Sequence, residues 1–145
     1  MINEEQIDVV QRTWQRVVPI ADTAANLFYD RLFEMEPELR SLFPADLAGQ
    51  KKKLLQMLGR AVAALGHPED IVEDLQGLGE RHVTYGVKDS HYPLVGAALL
   101  WTLEQGLGDA WTHEAKDAWT AAYSLLSSVM LGAARRVSQP AAADA

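Results

Sequence analysis

The chain contains no cysteine. That excludes disulfides, cysteine zinc sites, iron–sulfur clusters, thiolate nucleophiles and the C-x-x-C-H attachment of covalent haem. It also fits a reducing compartment. Cations are scarce: 13 Lys and Arg stand against 20 Asp and Glu, a formal net charge of −7. Such a balance argues against a nucleic-acid binder, which needs surplus cations to neutralise phosphates. It argues equally against an anionic membrane surface. Long apolar runs are missing. The strongest, Leu94 to Leu103, stops at Glu104, whereas a membrane span needs ~20 such residues. The N-terminus, MINEEQ, is acidic and has no apolar h-region. No signal peptide and no stable membrane insertion are therefore expected, and the expected location is cytoplasmic. Gly-rich phosphate loops, G-x-S-x-G elbows and H-E-x-x-H zinc signatures are also lacking.

What is present is helix. The 145 residues are 48% hydrophobic and 23% charged, enough for one ordered domain with a real core. Asn3 can cap a first helix while Gln6 reaches back, and Ile7, Val10, Trp14 and Val17 form its apolar face. A second helix carries Ala24, Leu27, Phe28, Arg31 and Leu32 to about Met35. Pro37 suits the first turn of a short helix through Leu42, and Phe43-Pro44-Ala45-Asp46 makes a corner. A long helix runs from about Ala48 to Leu65, with Gln50, Leu54, Met57, Leu58, Ala61 and Leu65 inside, until Gly66-His67-Pro68 stops it. Glu69 to Tyr85 reads as helix again, with Ile71, Leu75 and Leu78 inside and Gly86 as a stop. Val87 to Ser90 is a loop. Pro93 sits in the first turn of a helix to about Leu107. Thr112 can cap a last helix to about Val137, with Trp119, Tyr123, Leu126 and Met130 inward and Arg135 and Arg136 near its negative end. No strand, repeat or linker is visible. The expected architecture is all-α, one domain over residues 1–137, with an Ala/Pro-rich disordered tail over 138–145.

The available chemistry is His, Tyr, Gln, Trp, Lys and carboxylate. No two of the four histidines are three or four residues apart, so no helix offers a zinc pair. His67 precedes a proline and His113 adjoins the Thr112 cap; both read as solvated loop residues. His82 follows Ile71, Leu75 and Leu78 at helical steps. It is either a core histidine bonded to backbone or a single neutral imidazole ligand, which suffices for haem iron because porphyrin supplies four ligands. Gln50 is either a cap at a helix start or an N–H donor aimed into a cavity. Tyr29, beside Phe28, is either ordinary core packing or a buried phenol with a polar partner.

At these residues the sequence resembles the globins, in particular bacterial single-domain globins related to the haem domain of flavohaemoglobins. The resemblance covers about residues 3 to 134. It is carried by LFYDRLFEMEPELRSLFP, GQKKKLLQML, LGERHVTYGVKDSHYPLVG and EAKDAWTAAY; the run from His82 through His91-Tyr92-Pro93 is its most specific part. It implies the globin fold, a helix-on-helix sandwich around one non-covalent haem b. By resemblance His82 is the proximal iron ligand and Phe43 the corner aromatic on the haem plane. Gln50 is the distal residue, Leu54 lies one turn beyond it, and Tyr29 is the tyrosine over the iron. Tyr92, Val95 and Tyr123 match positions near the proximal side, and Leu78 and Val87 complete the implied cofactor contacts. His91 belongs to the His-Tyr-Pro corner, within reach of a propionate. Lys53 has three readings: a solvated lysine of the Lys51-Lys52-Lys53 run, a propionate partner, or an iron ligand after deprotonation.

The resemblance has one departure. Flavohaemoglobin-like members join the proximal histidine, a tyrosine and a last-helix glutamate into a network that makes the imidazole more anionic. Tyr123 is present, but the glutamate position reads Ala134. A peroxidase-like push on iron is therefore not expected. Two functions remain. One is reversible, high-affinity oxygen binding for storage, delivery or scavenging, with NO and CO as further diatomic ligands. The other is nitric oxide dioxygenation with an external reductase. A haem-free helical regulatory module is a third possibility, which His82 and the distal set disfavour.

Overall fold

A computed structural model describes residues 2–138. Six α-helices follow one another, with a 3-10 turn in every connection except that between the fourth and fifth: α1 Glu4–Val17, α2 Ala21–Met35, α3 Ala48–Ala63, α4 Val72–Thr84, α5 His91–Leu107 and α6 His113–Ser138. No strand occurs among the described residues. Residues 139–145, most of the expected tail, lie outside them.

Local chemistry sets most of the boundaries. The Asn3 side chain accepts from the Gln6 N–H at 2.8 Å and the Gln6 side chain accepts from the Asn3 N–H at 3.1 Å. This reciprocal cap satisfies two N–H groups that the helix itself cannot. Thr112 Oγ1 accepts from the Ala115 N–H at 3.0 Å and starts α6 in the same way. After α4, Gly86 takes φ +91°, a left-handed turn that costs glycine little. One boundary differs from the sequence reading. The helix expected from Glu69 begins at Val72, because Pro68–Asp70 forms a separate 3-10 turn with Pro68 in its first turn. A proline lacks the N–H but fits the opening of such a turn.

The helices pack in crossed layers. The most extensive contacts are α4 on α6, α1 on α6 and α2 on α5. The core joins Val10, Trp14, Phe28, Tyr29, Leu32, Leu99, Leu103 and Trp119. Trp119 Nε1 donates to Thr13 Oγ1 at 2.8 Å, so this deep indole is not left unpaired. Helix α4 touches α6 so closely that a Cβ on Gly79 would run into the Met130 main-chain carbonyl. Helix α3 packs instead on α2 and α1, and α3 and α4 share no extensive contact. Contact between α3 and α4 is sparse, centred on the Met57, Ala61, Ile71 and Leu75 cluster and the Arg60–Asp74 bridge; away from these a crevice separates them.

Candidate functional site

The apolar residues that the resemblance places around the cofactor are only half-buried. Phe43, Leu54, Leu78, Val87, Val95 and Tyr123 are all in this intermediate class, although most side chains of their kind would sit inside. His82 and Gln50 are half-buried beside them.

On the α2–α3 side, Tyr29 is 3% exposed. Its ring meets Phe28 edge-on at 5.0 Å, Phe33 at 5.9 Å and Phe43 edge-on at 5.6 Å between centroids. Burial raises the phenol's pKa, while a smaller, opposing influence is a hydrogen bond with the Gln50 side chain. The two candidate donors of the sequence reading are thus in contact, one from α2 and one from α3.

The corner beneath them is held by a residue the sequence reading passed over. Arg40 Nη1 donates to the carbonyls of Phe43 at 3.3 Å and Pro44 at 2.9 Å, and Nη2 to Ala45 at 2.9 Å. Its guanidinium also lies over the Phe33 ring at 5.5 Å. Phe33 was missed too, although it stands one helical turn after Tyr29, a spacing that predicts contact. Nothing in the local sequence marks Arg40.

On the α4–α5 side, the His82 imidazole is pushed down to about 4, chiefly by burial and further by the Arg81 charge. It is neutral near pH 7. Its Nδ1 lies 3.3 Å from the Tyr92 hydroxyl. No hydrogen bond among the described residues uses Nε2. The Val87 N–H donates to the His82 carbonyl at 2.9 Å and folds the chain after α4 back beneath the histidine. Tyr123 takes a different place from the one read in sequence. Its hydroxyl donates to the Tyr92 carbonyl at 2.6 Å and does not face the imidazole. It reaches there because Gly96 has no side chain; a Cβ on Gly96 would stand 2.7 Å from the Tyr123 ring. Burial raises the Tyr123 phenol strongly, with the Tyr92 phenol adding to it. Ala134 is buried and supplies no carboxylate. Asp89, which raises the Tyr92 phenol after burial has done so, is paired with Arg135 at 3.2 Å.

The remaining candidates fall outside this cluster. His91 Nδ1 accepts the Lys88 N–H at 2.9 Å and closes the turn before α5. His67 and His113 are solvated, with side chains 73% and 88% exposed. Lys53 lies exposed on α3, one turn beyond Gln50.

The residues present fit haem b. A neutral, half-buried imidazole has its Nδ1 engaged and its Nε2 lone pair available, the state in which histidine binds a metal. Around it are half-buried apolar walls of the kind a flat macrocycle covers. Polar donors stand on the opposite helices, where a small ligand would meet them.

Comparison with known proteins gives the same picture. The globin family model matches residues 26–130. The flavohemoprotein of Rhodopirellula baltica is 30% identical over 135 residues, covering 91% of this chain and 33% of its own length. That of Deinococcus radiodurans is 35% identical, covering 91% and 34%. The chain thus spans about a third of the length of these relatives. Among solved structures, an engineered carbene transferase made from a candidate nitric oxide dioxygenase of Rhodothermus marinus has a TM-score of 0.85. It is 26% identical over 94% of this chain and 96% of that one. A bacterial globin of Campylobacter jejuni has a TM-score of 0.79 at 24% identity, over 95% and 100%.

Proposed function

This chain belongs to the globin family, with haem b as its cofactor and diatomic molecules as its ligands, and on that premise we propose that it binds molecular oxygen reversibly and with high affinity. Storage, delivery or scavenging of oxygen would follow from that property. The observation that carries the reading is the buried Tyr29 phenol, held among the Phe28, Phe33 and Phe43 rings with the Gln50 side chain beside it. Haem b supplies a ferrous iron to which a diatomic ligand adds. His82, through Nε2, is the residue that would hold it. Phe43, Leu54, Leu78, Val87, Val95 and Tyr123 would exclude water from its faces, and by the resemblance Lys53 or His91 would reach a propionate.

Oxygen gains negative charge when it binds, so O–H and N–H donors favour its bound form. The Tyr29 O–H and the Gln50 side-chain N–H are the donors this reading invokes. A hydrogen bond to a charged partner contributes ~1.5–3 kcal/mol, and each ~1.4 kcal/mol is tenfold in affinity. Carbon monoxide is less polar and gains less. The aromatic packing of Tyr29 fixes the donor before the ligand arrives, so little ordering cost falls on binding.

A second reading is nitric oxide dioxygenation, in which nitric oxide, dioxygen and one electron give nitrate. It is favoured by the likeness to flavohemoproteins and to the Rhodothermus marinus protein. The same distal donors serve it, and a reductase would supply the electron. Absorption spectra through ferric, ferrous and oxygenated states, followed by oxygen release in stopped flow, test the first reading. Slow release with little loss of the ferrous form supports it. Sustained nitric oxide consumption that depends on added reductant supports the second. Purified protein without a Soret band refutes both.

A further inference from the structure

The cations of this chain are unevenly placed. Helix α3 holds Lys51, Lys52, Lys53 and Arg60 and not one carboxylate. These are four of the chain's thirteen cations, so the other nine share the sequence with all twenty carboxylates. Lys52, Lys53, Gln56 and Arg60 are exposed. Steps of three and four residues put them on one stripe of the helix. Arg60 is bridged to Asp74 of α4, while no ion pair among the described residues reaches Lys52 or Lys53.

This placement does not serve the helix. The lysines lie within its first two turns, near the positive end of its dipole, and the first turn contains no acidic residue. Asp46 alone answers that charge, accepting the Ala48 N–H at 2.9 Å. A local rule broken without a local gain points to a role outside the fold. The same helix presents Gln50 and Leu54 to the crevice, so the stripe borders the site.

We infer that the stripe Lys52–Gln56–Arg60 of α3, with Lys53 at its edge, is the docking surface for an acidic electron-donor flavoprotein. The inference rests on the proposed haem function, which needs ferrous iron. One electron leaves the reduced flavin and one ferric iron becomes ferrous; no atom has to cross. A local acidic patch complements the stripe, whose charges act over ~8 Å at physiological salt. A membrane plane or a nucleic acid is a more extended polyanion and meets the carboxylate excess of the chain as well. The stripe shares α3 with Gln50 and Leu54, so a flavin docked there would approach the haem from that helix.

The test uses the sign of a salt effect. Ferric holoprotein is mixed in stopped flow with reduced flavodoxin, a small acidic flavoprotein, over a range of salt. Two acidic proteins repel as whole charges, so without a docking stripe reduction speeds up as salt screens them. Docking on the stripe predicts the reverse, a fall of about tenfold or more from low to high salt. The double variant Lys52→Glu, Gln56→Glu alters only exposed positions outside the site. It should slow reduction at low salt by about tenfold and turn the salt slope positive. Its thermal midpoint should match or exceed that of the wild type, since a carboxylate suits the start of α3. Reduced lumiflavin, small and at most singly charged, should reduce both proteins at nearly the same rate. Titration with oxidised flavodoxin should show binding that the double variant loses. A wild-type rate that rises with salt, or a double variant that behaves as wild type, overturns the inference while lumiflavin reduction leaves the haem reading standing. Binding to phosphatidylglycerol vesicles at a salt where flavodoxin does not bind also overturns it, in favour of a membrane surface. Absence of haem from the purified protein removes both readings together.

Discussion

His82 Nδ1 and the Tyr92 hydroxyl lie 3.3 Å apart, joining α4 to α5 at the floor of the crevice. The Tyr123 hydroxyl extends the chain of contacts to α6 through the Tyr92 carbonyl. Every acceptor in this chain is neutral. A carboxylate would draw the Nδ1 proton and make the imidazole more anionic; a phenol oxygen does so far less. Ala134 stands where the resemblance calls for a glutamate, and Asp89 is engaged with Arg135. A neutral proximal imidazole suits holding a ligand better than breaking its bond, which supports the oxygen-binding reading.

Tyr92→Phe should therefore weaken the histidine as a donor to iron without removing it. The iron–histidine stretching band of the ferrous protein should move to lower frequency. The ferric/ferrous potential should rise, because a less basic ligand stabilises the ferric state less. An unchanged band would mean that the 3.3 Å approach carries no hydrogen bond.

The distal donors predict a split between ligands. Tyr29→Phe keeps the ring and its contacts with Phe33 and Phe43 but loses the O–H. Oxygen release should accelerate by ~10–150-fold, the equivalent of ~1.5–3 kcal/mol. Gln50→Leu should act in the same direction and more weakly, since an amide side chain is longer and less fixed than the packed Tyr29 ring. The double variant should fall short of the product of the two if both donors share one oxygen. Carbon monoxide release should change far less. Oxygen release within about threefold of wild type in both single variants would leave these residues as pocket filling.

The two histidines of the α4–α5 region should separate cleanly. His82→Ala removes the proposed iron ligand and should lose or misplace haem. His91→Ala removes only the hydrogen bond to the Lys88 N–H and should keep a proximal-histidine spectrum. The reverse pattern would reassign the ligand.

Gly79 and Gly77 offer a paired test of the platform beneath His82. A Cβ on Gly79 meets the rigid Met130 carbonyl of α6. Gly79→Ala should force α4 away from α6, costing about 1–3 kcal/mol or more, and weaken haem retention. A Cβ on Gly77 meets only the Arg81 guanidinium tip at 3.2 Å, which can swing aside. Gly77→Ala should stabilise α4 by up to about 1 kcal/mol. Urea unfolding of both variants measures the difference; equal effects would contradict the close approach of α4 and α6.

The His82 environment sets an acid limit for the haem-free protein. The folded imidazole titrates at about 4 and the unfolded one near 6.5. Between these values the unfolded chain binds the extra proton. Stability is therefore full above about pH 6.5 and falls as pH drops towards 4, by about 3 kcal/mol at most. Urea midpoints of haem-free protein should show that slope, and His82→Leu should flatten it. Equal slopes in the two proteins would show that other groups govern the acid response.

The sequence by itself determined the helices and most of their ends. Asn3 and Gln6, Pro37, Gly66-His67-Pro68, Gly86 and Thr112 act within one turn of their own position, so their meaning is local and readable. It also singled out His82, Tyr29 and Gln50 as polar groups on apolar faces. Tertiary structure decided which of them meet. The pairing of Tyr29 with Gln50 depends on the crossing of α2 and α3. Tyr92, rather than Tyr123, faces the imidazole because α5 and α6 approach at Gly96. Phe33 and Arg40 gain their roles from a corner whose carbonyls converge on one guanidinium. These relations join residues brought together by packing angles and by the absence of a side chain at a crossing. A one-dimensional period carries neither.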